Sequence, residues 1–329
     1  MTCFTPLAIS LVASLVSPQV AGSVAGSASV DRARADFEAG RYADAASALE
    51  SATKGNTEDA VAAYWLGRVR LEQRNYHRAI DAFARAVHLS SSNSEYHRWL
   101  ARAEAEVADR EHSILMARRV RKELEQSVRL DASNVAARRD LQGFYLEAPW
   151  LIGGSESKAW SQAGAIAALD PVAGHLARAA YWAHKKDVAR AKAEYGAMVD
   201  ARPRDVAPYL EAAVFYESAD DSGALRAVID LAEQIDQREP QLMYFRGVLG
   251  VLTGAGLDGA EEALTAYLDR VTPRSDRPDP SAAHDWLGRL YEAVGHLDRA
   301  ATEFRKALAL EPGRKSARDN LKRLEQRKE

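Results

Sequence analysis

The sequence predicts an all-α fold in which helical hairpins of similar length stack side by side as an α-solenoid. Two observations support this prediction. The motif Trp-Leu-Gly-Arg occurs at 65–68 and again at 286–289, and each copy has an Ala 12 residues after its Gly. When the chain is aligned with itself at a shift of 34 residues, small and large apolar residues recur at fixed positions. A period of this length fits two short helices and the turns between them.

The recurring residues have the sizes that two closely packed helices require. Small residues at repeat positions 8 and 20 let the helices approach, and large residues at positions 17 and 24 fill the space beside them. Gly40 and Gly295 stand at position 15, where the first helix must turn into the second and a positive φ is needed. In the two clearest repeats the other positions are occupied by Gly67, Tyr76, Ala79, Phe83 and Ala86, and by Gly288, Leu297, Ala300, Phe304 and Ala307 followed by Pro312.

This pattern resembles the tetratricopeptide repeat (TPR), a helix–turn–helix unit. The resemblance implies a right-handed superhelix of about eight units over residues 29–314, closed by a capping helix at 315–329. The pattern is clear at 60–93 and 281–314 and degenerate at 206–274. We expect the units near 26–59, 60–93, 94–134, 135–171, 172–205, 206–239, 240–274 and 281–314.

Two units are longer than the period. The unit at 94–134 has about seven extra residues without Gly or Pro, which predicts about one more turn on each helix. In the next unit, Pro149 breaks the first helix, and Ser155 or Ser157 can cap the second. The stretch from Ala148 also resembles a variant repeat of exported bacterial TPR proteins of unassigned function.

The loop of this unit contains the apolar triplet Trp150, Leu151 and Ile152, which is unusual because loops favour polar residues. The three side chains could fold back as a plug over the helix ends. They could also form an exposed apolar contact for a partner.

Residues 1–28 have the composition of a signal peptide. No charged residue precedes Asp31, and the apolar stretch 6–16 is followed by a run of small residues. The pattern predicts export to the periplasm or secretion in a bacterium. The absence of Lys or Arg before the apolar stretch leaves a cytoplasmic protein as the alternative. The single cysteine, Cys3, lies in this segment, so a cleaved chain would contain no disulfide.

Neither a catalytic site nor a metal or cofactor site is expected. The histidines lack the spacing of metal ligands, and the Gly-x-Gly-x-x-Gly match at 254–259 falls in a helix–helix turn rather than after a strand. The net charge of −3 comes from interspersed acidic and basic residues, which argues against a nucleic-acid or an anionic-membrane surface as the main partner. Outside the first 28 residues, no stretch is apolar enough to span a membrane.

Arginines recur at positions that line the concave groove in the family this chain resembles. Arg34, Arg68 and Arg102 occupy position 9 of three successive units, and Arg98 and Arg139 occupy position 5 of two neighbouring units. Stacking would bring these guanidinium groups into one row, which suits an acidic or C-terminal peptide. The alternative is that Glu38, Glu72 and Glu106, each four residues after its arginine, neutralise the row.

The functional prediction is a non-enzymatic scaffold that binds a protein or peptide in this groove after export. The alternative is a structural subunit of an envelope complex that binds through its outer surfaces or through the loop at 149–157. Trp65, Trp99 and Trp286 share position 6 of their units, a regularity that predicts packing between repeats.

Overall fold

The structure is a computed structural model that describes residues 28–56 and 59–326. Most of the predicted signal peptide therefore lies outside the described residues. All regular secondary structure in the described part is helical. Its α-helices are α1 Ala28–Glu38, α2 Tyr42–Gly55, α3 Ala60–Glu72, α4 Tyr76–Leu89, α5 Ser94–Arg110, α6 Ile114–Leu130, α7 Val135–Glu147, α8 Glu156–Leu169, α9 Pro171–His184, α10 Val188–Asp200, α11 Ala207–Ser218, α12 Ser222–Ile235, α13 Gln241–Thr253, α14 Leu257–Arg270, α15 Pro280–Ala293, α16 Leu297–Leu310 and α17 Lys315–Gln326.

The chain forms two compact units, of which the first ends at Ala197 and the second begins at Met198. In the first unit, α1–α2, α3–α4, α5–α6 and α7–α8 are hairpins, and the first helix of each hairpin also contacts the first helix of the next. In the second unit, α11–α12, α13–α14 and α15–α16 are related in the same way, and α17 packs on α16 and α15. Residues one repeat apart therefore become neighbours within each unit, which confirms the predicted α-solenoid.

The glycine at position 8 sets how closely the two helices of a hairpin approach. A Cβ atom on Gly67 would lie 2.6 Å from the ring of Phe83, and one on Gly288 would overlap the ring of Phe304. Both rings are fully buried. The large residue at position 24 thus occupies the space that the missing side chain leaves, as the sequence pattern predicts.

The turn between the helices of a hairpin requires a positive φ even where no glycine is present. Gly40 and Gly295 have φ values of 73° and 82°. At corresponding turns the left-handed conformation is adopted by non-glycine residues at modest energetic cost, namely Arg74, His112, Lys186 and Asp220. Arg74, Lys186 and Asp220 stand at position 15 of their predicted units, so the repeat period locates these turns although no glycine marks them.

The longer hairpin is α5–α6, in which each helix has 17 residues. After α7, the loop forms a 3₁₀ turn over Trp150–Ile152, and the Ser155 side chain then caps α8 by accepting a hydrogen bond from the Lys158 amide at 3.3 Å. Ile152 is buried in a core cluster of α5–α8, whereas Trp150 and Leu151 are 80% and 66% exposed. The plug interpretation therefore applies to Ile152 and not to its two neighbours.

Candidate functional site

Arginine and tryptophan side chains alternate along the first helices of the first unit. The guanidinium carbon of Arg34 lies 5.1 Å from the centre of the Trp65 ring, and that of Arg68 lies 5.6 Å from the same ring. Arg68 also lies 3.7 Å from the Trp99 ring, which Arg102 approaches at 4.4 Å. We call these five residues, contributed by α1, α3 and α5, the arginine–tryptophan row. Cation–π attraction holds each guanidinium group against an indole of its own or the next hairpin.

The two tryptophans of the row also connect successive hairpins. Trp65 contacts the ring of Phe37 at 5.7 Å, and Trp99 contacts that of Phe83 at 6.2 Å. Both indoles are buried. This geometry confirms that the tryptophans at position 6 pack between repeats, and it shows that they support the arginines as well.

Arg98, one of the predicted groove arginines, is engaged in ion pairs inside the protein. Its Nε donates to Asp140 at 2.7 Å and its Nη1 donates to Glu95 at 2.8 Å. Although burial lowers the pKa of Arg98, the two carboxylates raise it above its ordinary value. Its charge is therefore compensated, and its role in this geometry is to join α5 to α7.

Arg102 is much less well compensated. It is 4% exposed, and its Nη1 lies 3.9 Å from the Asp140 oxygen that already accepts a hydrogen bond from Arg98. Burial lowers the pKa of Arg102 to about 10, with Asp140 opposing the shift and the positive charges of Arg98 and Arg68 adding to it. Its buried Nε has no hydrogen-bond partner within the described residues. An anion near this end of the row would relieve the excess positive charge.

Glu106, four residues after Arg102, feels the charge of Arg102, which opposes the rise that burial causes in the pKa of Glu106. Glu106 lies 4.0 Å from Arg110, on the next turn of α5. Arg68 donates through Nη1 to the Tyr64 hydroxyl at 3.0 Å. Arg139 is partly buried on α7, beside Asp140.

A carboxylate that the sequence analysis missed joins the first helices of the second unit. Glu217 on α11 accepts hydrogen bonds from the Tyr244 hydroxyl on α13 at 2.6 Å and from the Trp286 indole on α15 at 2.7 Å. Burial raises the pKa of Glu217. Glu217 stands at position 12 of its predicted repeat, but the degenerate pattern at 206–239 concealed it.

Two further features bear on the chemistry of the site. Among residues 28–56 and 59–326, no group of three or more His, Cys, Asp and Glu side chains is placed to hold a metal ion. In the same part of the chain, every helix is too short or too polar to cross a membrane.

Comparisons with known proteins agree with this architecture. Family models described as "Tetratricopeptide repeat" match residues 30–94, 66–106 and 281–314. A search of the curated proteins found no match.

Three solved structures share the fold at low sequence identity. Yeast Tom70 has a TM-score of 0.58 and 15% identity, over 87% of this chain and 58% of its own. A monomeric mutant of IFIT1, solved with m7Gppp-AAAA, has a TM-score of 0.56 and 16% identity, over 91% of this chain and 72% of its own. The Cut9–Hcn1 hetero-tetramer of APC/C has a TM-score of 0.52 and 14% identity, over 90% of this chain and 55% of the matched chain.

Proposed function

The chain belongs to the tetratricopeptide repeat family, and from that premise we propose that it is a non-enzymatic scaffold that binds an acidic segment or the C-terminus of a protein. The binding surface in this proposal is the arginine–tryptophan row of the first unit. The observation that carries the proposal is the incomplete compensation of Arg102 at one end of the row.

The geometry of the row favours carboxylates. Arg68 lies over the Trp99 ring, a stacking contact that uses the face of a guanidinium group and leaves hydrogen bonding to its N–H edge. At this edge, Nη1 donates to the Tyr64 hydroxyl, and the buried Nε has no hydrogen-bond partner among the described residues. Carboxylates bind such an edge in its plane with two hydrogen bonds. Because Arg34, Arg68 and Arg102 come from successive hairpins, a ligand with several spaced carboxylates would contact more than one of them.

The proposal includes export, with residues 1–28 acting as a signal peptide and the remaining chain acting in the periplasm or outside the cell. The support is the uncharged, apolar composition of this segment. The N-terminus of the protein isolated from its native cells should begin near residue 26 or 29, as measured by mass spectrometry. A mass that includes the whole segment would favour the cytoplasmic alternative.

The ligand prediction is tested with a fluorescein-labelled peptide of alternating Glu and Gly residues, by fluorescence anisotropy. We expect Arg68→Gln to weaken binding about fivefold to tenfold, because one charge-assisted pair is lost. Arg78→Gln, which removes the same charge from an exposed position on α4, is the matched control and should leave binding unchanged.

Further peptides test which chemical group of the ligand is bound. A peptide with Lys in place of Glu should not bind, and equal binding of both peptides would contradict the proposal. Comparison of free and amidated C-termini separates a terminal carboxylate from side-chain carboxylates. If partner capture from envelope extracts survives Arg68→Gln but is lost when residues 149–155 are deleted, the alternative of a structural subunit is favoured instead.

A further inference from the structure

Exposed apolar side chains are concentrated at the turns of three consecutive hairpins in the first unit. They lie at the start of α6, in the loop before α8, on the second turn of α8 and at the start of α10. We call this set the turn edge, and its members are Ile114, Leu115, Trp150, Leu151, Trp160 and Val188.

Several contacts bring these segments together. The Lys185 ammonium group, in the turn before α10, lies 2.8 Å from Glu156 at the start of α8. The Trp160 ring on α8 contacts Tyr181 near the end of α9 at 4.9 Å between ring centres. These contacts connect the second and third hairpins of the edge.

The first hairpin of the edge is connected through α6. The Arg121 side chain lies directly against Gly153 in the loop. Ile114 precedes Arg121 by two helical turns on the same face of α6, a distance of about 10 Å along the helix. The start of α6 therefore lies about two helical turns from the place where the loop contacts this helix.

The turn edge is also basic. Arg118 and Lys122 are exposed on α6 near the apolar residues, and Lys186 is exposed in the turn before α10. Three acidic residues near the edge are engaged: Glu156 contacts Lys185, Asp187 contacts Arg190 at 3.3 Å, and Glu111, three residues before Ile114, contacts His77 at 2.9 Å. The surplus charge at this edge is therefore positive, although the net charge of the whole chain is −3.

We propose that the turn edge docks on a phospholipid surface that carries anionic headgroups, with Trp150 and Leu151 inserted between the headgroups. An indole with an adjacent aliphatic side chain is well suited to the interface between headgroups and acyl chains. Lys and Arg side chains close to such a surface are attracted to anionic lipids. A fluid surface also accepts two protruding side chains without a complementary pocket.

The charge of the edge favours lipid over a second copy of this chain as the occupant. Two identical copies joined through this edge would bring Arg118, Lys122 and Lys186 of both chains together, and their repulsion would oppose association. An anionic membrane supplies the opposite charge. The proposed docking does not involve the arginine–tryptophan row, so the scaffold proposal and this one stand independently.

The experiment is co-sedimentation of the full chain with vesicles of phosphatidylcholine alone or with one-quarter phosphatidylglycerol. We expect binding to the anionic vesicles, reduced about tenfold or more by the double substitution Trp150→Ala with Leu151→Ala. Arg118→Gln with Lys122→Gln should reduce it about tenfold at low salt and much less at high salt. The apolar N-terminal segment is present in every variant, so differences between variants report on the turn edge.

The matched control is Leu169→Ala with Leu310→Ala, which removes two exposed leucines at the far ends of α8 and α16. This variant should bind the anionic vesicles like the parent chain. The proposal is overturned if the turn-edge variants bind as the parent does, or if neutral and anionic vesicles bind equally. Two results without vesicles would also overturn it. The first is that the turn-edge variants change the oligomeric state of the protein, and the second is that they no longer capture a protein partner that the parent chain captures.

Discussion

Glu104 is a carboxylate with no solvent exposure, inside the α5–α6 hairpin. Arg119 on α6 lies 2.5 Å from one of its oxygens. Burial nevertheless raises the pKa of Glu104 to about 7, with Glu123 adding to the shift and Arg119 and Lys122 opposing it. Near neutral pH the folded protein therefore holds a proton at this position more tightly than the unfolded chain does.

This linkage predicts a pH-dependent effect of Glu104→Gln. Because the folded-state pKa is raised, the favourable contribution of Glu104 is fully present below about pH 4.5 and is lost as the pH rises through about 7. The variant should therefore gain stability relative to the parent chain between pH 5 and pH 8, by roughly 1–3 kcal/mol. Chemical denaturation at both pH values measures this difference, and a difference that does not change with pH would contradict the assignment.

At this scale the sequence predicted which arginines recur but not how their charges are compensated. The positions of Arg98 and Arg102 follow from the repeat period. Their different environments depend on Asp140 in the next repeat. The Asp140 carboxylate lies 2.7 Å from Arg98 but 3.9 Å from Arg102. Ion pairing of this kind depends on side-chain directions across repeats, and the spacing of residues along the chain does not contain that information.

At the scale of the hairpin, the contact between positions 8 and 24 determines the packing of the two helices. Gly67 accepts the Phe83 ring so closely that no side chain fits between them. Sequence analysis predicted this contact because residue size alone reveals it. The repeat period also placed the turns at Arg74 and Lys186, which stand at position 15 of their units, but it did not predict that these non-glycine residues adopt the left-handed conformation.

Two glycine substitutions distinguish packing from helix propensity. Gly67→Ala should destabilise the first unit by about 1–3 kcal/mol, because the added methyl group would force the Phe83 ring or the backbone to move. Gly143→Ala on α7, where a Cβ atom meets nothing within 4 Å, should stabilise it by about 0.5–1 kcal/mol. Thermal and urea denaturation of both variants provide the measurement. A shift of stability in the same direction by both substitutions would show that the Phe83 ring does not limit the residue at position 67.

At the scale of the whole molecule, α17 ends the second unit. It buries Ala317 and Leu324 on one side, and Asn320 donates to Asp285 on α15 at 3.3 Å. The remaining face of α17 is polar, as the sequence analysis expected of a capping helix. The helix therefore covers the apolar surface that α15 and α16 would otherwise expose.

The cap is tested with Leu324→Asp, which places a charge at a buried position. We expect the second unit to lose roughly 3 kcal/mol of stability and to bind a hydrophobic dye more strongly, because α17 detaches. Lys322→Asp introduces the same side chain at an exposed position of the same helix and should have a much smaller effect. Equal effects of the two changes would contradict the capping role of α17.

In both units, each helix contacts helices that are close to it along the chain. Even the Trp286–Glu217 hydrogen bond joins residues only 69 positions apart. Chains dominated by such short-range contacts fold rapidly, and each hairpin gains its neighbours in the order in which it is synthesised. The first hairpins should therefore acquire structure while later ones are still being made, so that a ribosome stalled after residue 134 would already carry a protease-resistant N-terminal segment.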